Sequence, residues 1–150
     1  MRATVIPIRP VQATDRDEWL RMRLNLWDGS VAENVREIDT FFASPQDGVT
    51  FVVERPDGGL CGFIEISLRS YAEGYRTSPV PYVEGWYVDE DVRRNQVGRR
   101  LIQKAEGWAR HRGFREIASD TQLDNAVSIQ AHHALGYEEV ERIVCFRKAL

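Results

Sequence analysis

Cysteine is nearly absent from this chain. Cys61 and Cys145 are its only two among 150 residues, and neither belongs to a C-x-x-C spacing. That argues against a disulfide framework and a cysteine metal site. Both lie in strand-like runs and are expected to be buried free thiols. Long apolar runs are also missing, so no segment reaches the roughly 20 residues of a membrane-spanning helix. The opening MRATVIPIRP has too short an apolar core for a signal peptide and alternates like a strand. A cytoplasmic protein without a membrane partner is the expectation. A basic excess is lacking as well: 20 Lys and Arg stand against 23 Asp and Glu, a formal net charge of −3. General nucleic-acid binders show the opposite balance, whereas a cationic small molecule suits this one. There is no internal repeat, low-complexity stretch or linker, so residues 1–150 are expected to form one domain with a sizeable core.

What is present is a regular alternation of strand and helix signals. Val5 to Arg9 reads as a strand. Thr14, with Asp17 three residues on, opens a helix carrying Leu20, Leu24 and Trp27 at helical spacing. Ser30 and Glu33 make a capping box before Val35, Ile38, Phe41 and Phe42. Thr50 to Glu54 and Leu60 to Leu68 read as strands joined by a hairpin turn over 55–59. Arg69 to Pro79 is a polar loop with Gly, Pro and two tyrosines. Pro81 to Val88 is a central strand with Tyr82, Glu84, Trp86 and Val88 on one face by the period of two. Val97, Leu101, Ala105, Trp108 and Ala109 line a long helix that stops at Gly113. Phe114 to Ser119 is a further strand. Asp124 or Asn125 caps a helix with a stripe of Val127, Ala131, Ala134 and Leu135, and Glu139 to Lys148 is a last strand. The order predicts an α+β protein of α/β/α layers: a mixed, mainly antiparallel sheet with helices on both faces.

Val83 to Leu101, VEGWYVDEDVRRNQVGRRL, carries most of the chemistry. A strand holding one acid, Glu84, runs into a basic turn that opens directly into a helix. Free N–H groups at a helix N-terminus, with a glycine and arginines beside them, suit a pyrophosphate. On these residues alone, a solvated basic turn is an equal reading.

The segment from Val88 to Phe114 resembles the acyl-CoA-binding motif of the GCN5-related N-acetyltransferases (GNAT). That family carries Q/R-x-x-G-x-G/A at the turn; here Arg93 takes the first place and Gly98 the last. Gln96 stands where the first glycine usually stands, a departure compatible with main-chain contacts if its φ stays negative. Downstream, Asn125, Ser128, Leu135, Gly136 and Tyr137 match a second signature. Where the family often has a tyrosine acid for the leaving thiolate, this chain has His132, either that acid or a packing residue beside Ser128. Closer still, the chain resembles the aminoglycoside 6′-N-acetyltransferases, through Leu26-Trp27, Tyr71, Ser78-Pro79-Val80, Glu84-Gly85, Ala118-Ser119-Asp120-Thr121, the stretch from His133 to Glu139, Glu141-Arg142 and Phe146-Arg147-Lys148.

The resemblance implies the GNAT fold, acetyl-CoA as co-substrate and direct transfer to a cationic amine. The turn Arg93, Arg94, Asn95, Gln96, Val97 and Gly98 would bind the pyrophosphate. The backbone of Trp86, Tyr87 and Val88 would splay from its neighbour and pair with the pantetheine arm, Gly85 permitting a bulge and Val88 N–H serving as oxyanion donor. Asn125 is either a pantetheine ligand or a plain N-cap. Glu84 is the candidate base, its pKa raised by an apolar run, or else an acid paired with an arginine. Trp27, Tyr71, Glu84, Asp120 and Glu141 would contact the aminoglycoside. No metal site is expected. Another amine acceptor or a non-catalytic acyl-CoA-binding module remains the alternative. Only one strand follows the final helix, an edge hazard that predicts a homodimer through meeting or exchanged C-terminal strands, with Glu141 serving the partner's pocket.

Overall fold

A computed structural model describes residues 6–150; Val5, the expected start of the first strand, lies outside them. The elements are β1 (Ile8–Pro10), α1 (Arg16–Leu26), α2 (Val31–Ala43), β2 (Gly48–Glu54), β3 (Leu60–Arg69), β4 (Val80–Val88), α3 (Val97–His111), β5 (Ala118–Ser119) and α4 (Ala126–Ala134). Strands β1 to β5 lie side by side in chain order. The first four pair antiparallel and β5 joins β4 in parallel, so the α+β, mainly antiparallel reading holds. Trp19, Met22 and Ile38 of α1 and α2 bury against Val52 and Phe63 on one face. Val97, Leu101, Ile102 and Ala105 of α3 bury against Ile64, Ile66 and Val83 on the other. No helix among the described residues is long and apolar enough to cross a membrane.

The Ser30–Glu33 capping box forms reciprocally at the start of α2. Helix α1 begins differently from expectation. A 3₁₀ turn over Ala13–Asp15 comes first and Asp15, not Thr14, stands at the N-cap. Asp15 accepts the Gln12 N–H at 2.7 Å and pairs with Arg9 of β1 at 2.7 Å, a tertiary partner outside the reach of local capping rules. The Arg9 guanidinium holds the Asp15 carboxyl below its usual range. At the far end of β4, buried Asp89 is gripped by Arg21 of α1 and Arg55 of the β2–β3 turn, at 2.9–3.0 Å. Burial pushes its carboxyl up, but these bonds prevail and hold it low. The exit of β4 is thus fixed to two other elements.

Three strand expectations change. Strand β5 is only two residues long. Residues 139–148 form no strand; the tail is exposed throughout, with Val144 76% and Phe146 93% accessible. Cys145 is therefore exposed, and only Cys61 is a buried thiol. Val127, placed on the inner stripe of α4, is 79% accessible. The third change is in β4. Gly85 stands opposite Glu65 and Val83 opposite Ile66, so Glu84 is an extra residue. A bulge of this kind shifts the side-chain alternation by one. Tyr82 and Glu84 accordingly share a face with Ser67 and Arg69, while Trp86 and Val88 pack with the α3 core. The four do not share one face.

Candidate active site

The bulge sets the site. Glu84 projects toward β3, where Ser67 Oγ donates to its Oε1 and Arg69 forms a two-pronged pair, Nε to Oε1 at 2.7 Å and Nη2 to Oε2 at 2.6 Å. The acid is thus not alone in an apolar run but arginine-paired, the alternative that the sequence left open. Arg69 also stacks on the Tyr82 ring at 3.6 Å, and Tyr82 Oη donates to Asp120 at 2.6 Å. Glu84 and Asp120 therefore belong to one polar network, two carboxylates on either side of an aromatic-stacked cation. Burial and the Asp120 charge push the Tyr82 phenol well above its ordinary range, so it remains a donor.

The loop over 70–79 is pinned to this region. Ala72 packs on Tyr82 and Ala118, and Tyr75 Oη donates to the Ile117 carbonyl at 2.8 Å. That leaves the neighbouring Tyr71 ring 65% accessible at the rim. Gly74 meets Val140 of the tail, and a Cβ there would lie 2.9 Å from it. Glu141 follows Val140 on the exposed tail, outside the Glu84–Asp120 network. Trp27, the C-cap residue of α1, lays its indole against Gly85 and edge-on to Phe63, ring centroids 6.2 Å apart.

On the other side of the bulge, β4 and β5 separate. Their only paired positions are Tyr82 with Ala118 and Val83 with Ser119. Asp89 N–H donates to Cys61 O at 2.8 Å. By the alternation of an antiparallel ladder, the backbone groups of Trp86 and Val88 then point away from β3, into the gap. The expected splay and outward Val88 N–H are both present. Arg93 Nε donates to the Val88 carbonyl at 2.9 Å and its guanidinium lies over Tyr87. The Trp86 indole donates to the Gly98 carbonyl at 3.1 Å, tying α3 to β4.

Helix α3 starts without a side-chain cap and without an acid in its first turn. Arg94 (φ 68°) and Gln96 (φ 62°) are both left-handed. The negative φ expected at Gln96 is not observed: the chain adopts the glycine-like conformation there without glycine. Such residues turn successive N–H groups into a concave anion nest, flanked here by exposed Arg93, Arg94 and Arg99. A left-handed non-glycine residue costs about 1–2 kcal/mol. Glycine offsets roughly 0.5–1 kcal/mol of this through its cost in chain entropy, so Gln96→Gly is expected to raise the midpoint of thermal unfolding by about 2–4 °C. An unchanged or lower midpoint by circular dichroism contradicts that strain.

Asn125 Oδ1 accepts the Ser128 N–H at 3.1 Å, a helix N-cap. His132 is held on three sides. Nδ1 donates to the Ser128 carbonyl at 2.7 Å, Nε2 lies 2.7 Å from Ser119 Oγ, and the ring meets Trp86 and Tyr137 edge-on. Sequence reading missed Ser67, Arg69 and Tyr82 as partners of the two acids. A signal existed: Glu65, Ser67 and Arg69 are polar at period two within an otherwise apolar β3.

Comparison with known proteins agrees with this geometry. The model of the acetyltransferase (GNAT) family matches residues 14–137. An aminoglycoside N(6′)-acetyltransferase type 1 of Klebsiella aerogenes is 45% identical over 146 residues, covering 95% of this chain and 96% of the relative. Among solved structures, an apo aminoglycoside 6′-N-acetyltransferase from Acinetobacter haemolyticus superposes with a TM-score of 0.88 at 34% identity, covering 97% of this chain and 99% of the other. The enzyme AAC(6′)-Iy in complex with a CoA–acetylneamine bisubstrate analogue gives 0.89 at 32% identity, covering 98% and 100%.

Proposed function

The chain belongs to the GNAT acetyltransferase family, and from that premise we propose that it transfers acetyl from acetyl-CoA to the 6′-amine of aminoglycosides. The observation that carries this reading is the junction of two half-sites at one bulge. A splayed β4 edge leads to an anion nest on one side, and a carboxylate–aromatic network suited to cations lies on the other. Acetyl-CoA supplies an activated thioester. The nest at residues 93–98 holds its pyrophosphate, and the outward backbone of Trp86 and Val88 aligns the pantetheine arm. Val88 N–H faces the carbonyl oxygen where charge develops. Glu84 takes the amine proton, directly or through a water, and Asp120 and Tyr71 hold the rest of the cation. Asn125 Nδ2, free of the cap bond, serves the pantetheine amides. His132 is read as a packing residue, its ring edge-on to Trp86 and Tyr137 and its Nε2 engaged by Ser119 Oγ, and solvent protonates the leaving thiolate.

The test is a coupled thiol-release assay with paired kanamycin-like acceptors bearing a 6′-amine or a 6′-hydroxyl. Acetylation of the amine compound alone is expected. Equal acetylation of both moves the target off the 6′ position, and acetylation of neither removes aminoglycosides as acceptors.

The functional unit in this reading is a homodimer. Val140, Ile143, Val144 and Phe146 are exposed on a tail of strand-like composition, and Leu123 and Val127 are exposed as well. A second copy would pair the tails, cover these side chains and bring Glu141 to the partner's acceptor site. Sedimentation velocity should give twice the chain mass, falling to the monomer on deletion of 139–150. A concentration-independent monomer for the full chain overturns the dimer.

A further inference from the structure

Arg23 is a cation buried where no substrate reaches. It lies on α1 at 3% exposure, paired with Glu65 of β3 and Glu37 of α2, and its Nε donates to Asn34 Oδ1 at 2.9 Å. Buried ion pairs seldom repay their desolvation, and an apolar pair would fill this space equally well. The guanidinium does something an apolar pair would not: it lies over the Trp27 ring, its Cζ 4.7 Å from the centroid. Arg23 C=O also accepts the Trp27 N–H at 2.9 Å, and Asn34 Nδ2 donates to the Ser30 carbonyl at 3.1 Å. The Arg23 main chain thus holds one end of the α1–α2 connection that carries Trp27, and its side chain, through Asn34, holds the other. Its anchor, Glu65, stands opposite Gly85, at the bulge that projects Glu84.

We propose that Arg23, anchored by Glu65, is a positioning residue that holds the Trp27 indole against Gly85 as the wall of the acceptor site. This rests on the acceptor reading given above. Arginine is needed because its planar fork bonds three partners while its face stacks on the ring; a lysine supplies the charge alone.

The experiment uses the full chain with a 6′-amino aminoglycoside. Arg23→Met combined with Glu65→Gln removes both charges while leaving Trp19 Nε1 its acceptor. The expected result is an acceptor KM raised about tenfold with the acetyl-CoA KM within about twofold of wild type. The same pair of changes in a Trp27→Leu background should add nothing to the acceptor KM, because the effect passes through the indole. Arg23→Lys, which keeps the charge for Glu65, should reproduce most of the shift and carries the test if the double variant does not fold. A parallel rise in both KM values, a full effect that persists without Trp27, or wild-type behaviour of Arg23→Lys overturns the inference. So does loss of folding in both variants, which assigns the pair to stability alone. An inactive wild type would instead indict the acceptor reading itself.

Discussion

Glu84→Gln is expected to lower turnover by about 100-fold or more, with acetyl-CoA binding unchanged by calorimetry. The substitution keeps the size of the side chain and one carbonyl oxygen for Ser67. It removes the charge and turns an amide N–H₂ toward the Arg69 donors. The acyl-CoA half-site draws on none of this, since it consists of outward backbone at Trp86 and Val88 and the nest beyond it. The competing interpretation treats Glu84 and Arg69 as a structural pair. Their side chains are 29% and 43% accessible, and such screened pairs contribute about 0–1 kcal/mol. That interpretation therefore predicts a small change in stability and none in turnover. Arg69→Gln separates the two further. It frees the carboxylate, so transfer should persist when Arg69 is lost and fail when Glu84 is lost. Equal turnover in Glu84→Gln and wild type ends the base assignment, whereas absence of turnover in the wild type returns the chain to an acyl-CoA-binding module.

The parts legible in the sequence were those whose cause is local. Ser30 and Glu33 cap α2 reciprocally because three residues separate them, and the stripe on α3 follows from helical spacing alone. The phosphate turn is equally compact. What escaped was set by contacts distant in sequence. The Glu84 bulge is one residue that the β3–β4 register leaves over, so a period-two reading placed Trp86 and Val88 on the wrong face. A negative φ at Gln96 is the condition under which the sequence would tolerate losing the turn's first glycine, and the structure does not meet it. Helix α3 is held against β4 by the Trp86–Gly98 bond and by buried Val97, and the chain must turn left-handed to enter it. The 139–148 segment has strand composition but lies exposed and unpaired in the single protomer. Arg69 sits in a polar alternation that was visible, but its carboxylate partner depended on a loop of ten residues returning in register.

Gly85→Ala is expected to cost both stability and acceptor binding. A Cβ at this position would lie 2.5 and 2.7 Å from Trp27 Cη2 and Cζ2 and 3.3 Å from the Phe63 ring. Neither ring can yield freely, because Phe63 is fully buried and Trp27 is pressed between the Arg23 guanidinium and β4. Overpacking of this kind costs about 1–3 kcal/mol, a fall of about 2–4 °C in unfolding midpoint for each. The functional loss should exceed what that stability loss explains, since displacing Trp27 changes the acceptor wall directly beside Glu84. Acceptor KM is expected to rise by about tenfold or more while acetyl-CoA binding holds. Adding Trp27→Leu to Gly85→Ala supplies the missing space, so thermal stability should recover while acceptor KM does not. Recovery of both would mean that the indole is packing and no part of the acceptor site. Recovery of neither would place the cost of alanine in the bulge backbone itself, where Gly85 adjoins Glu84.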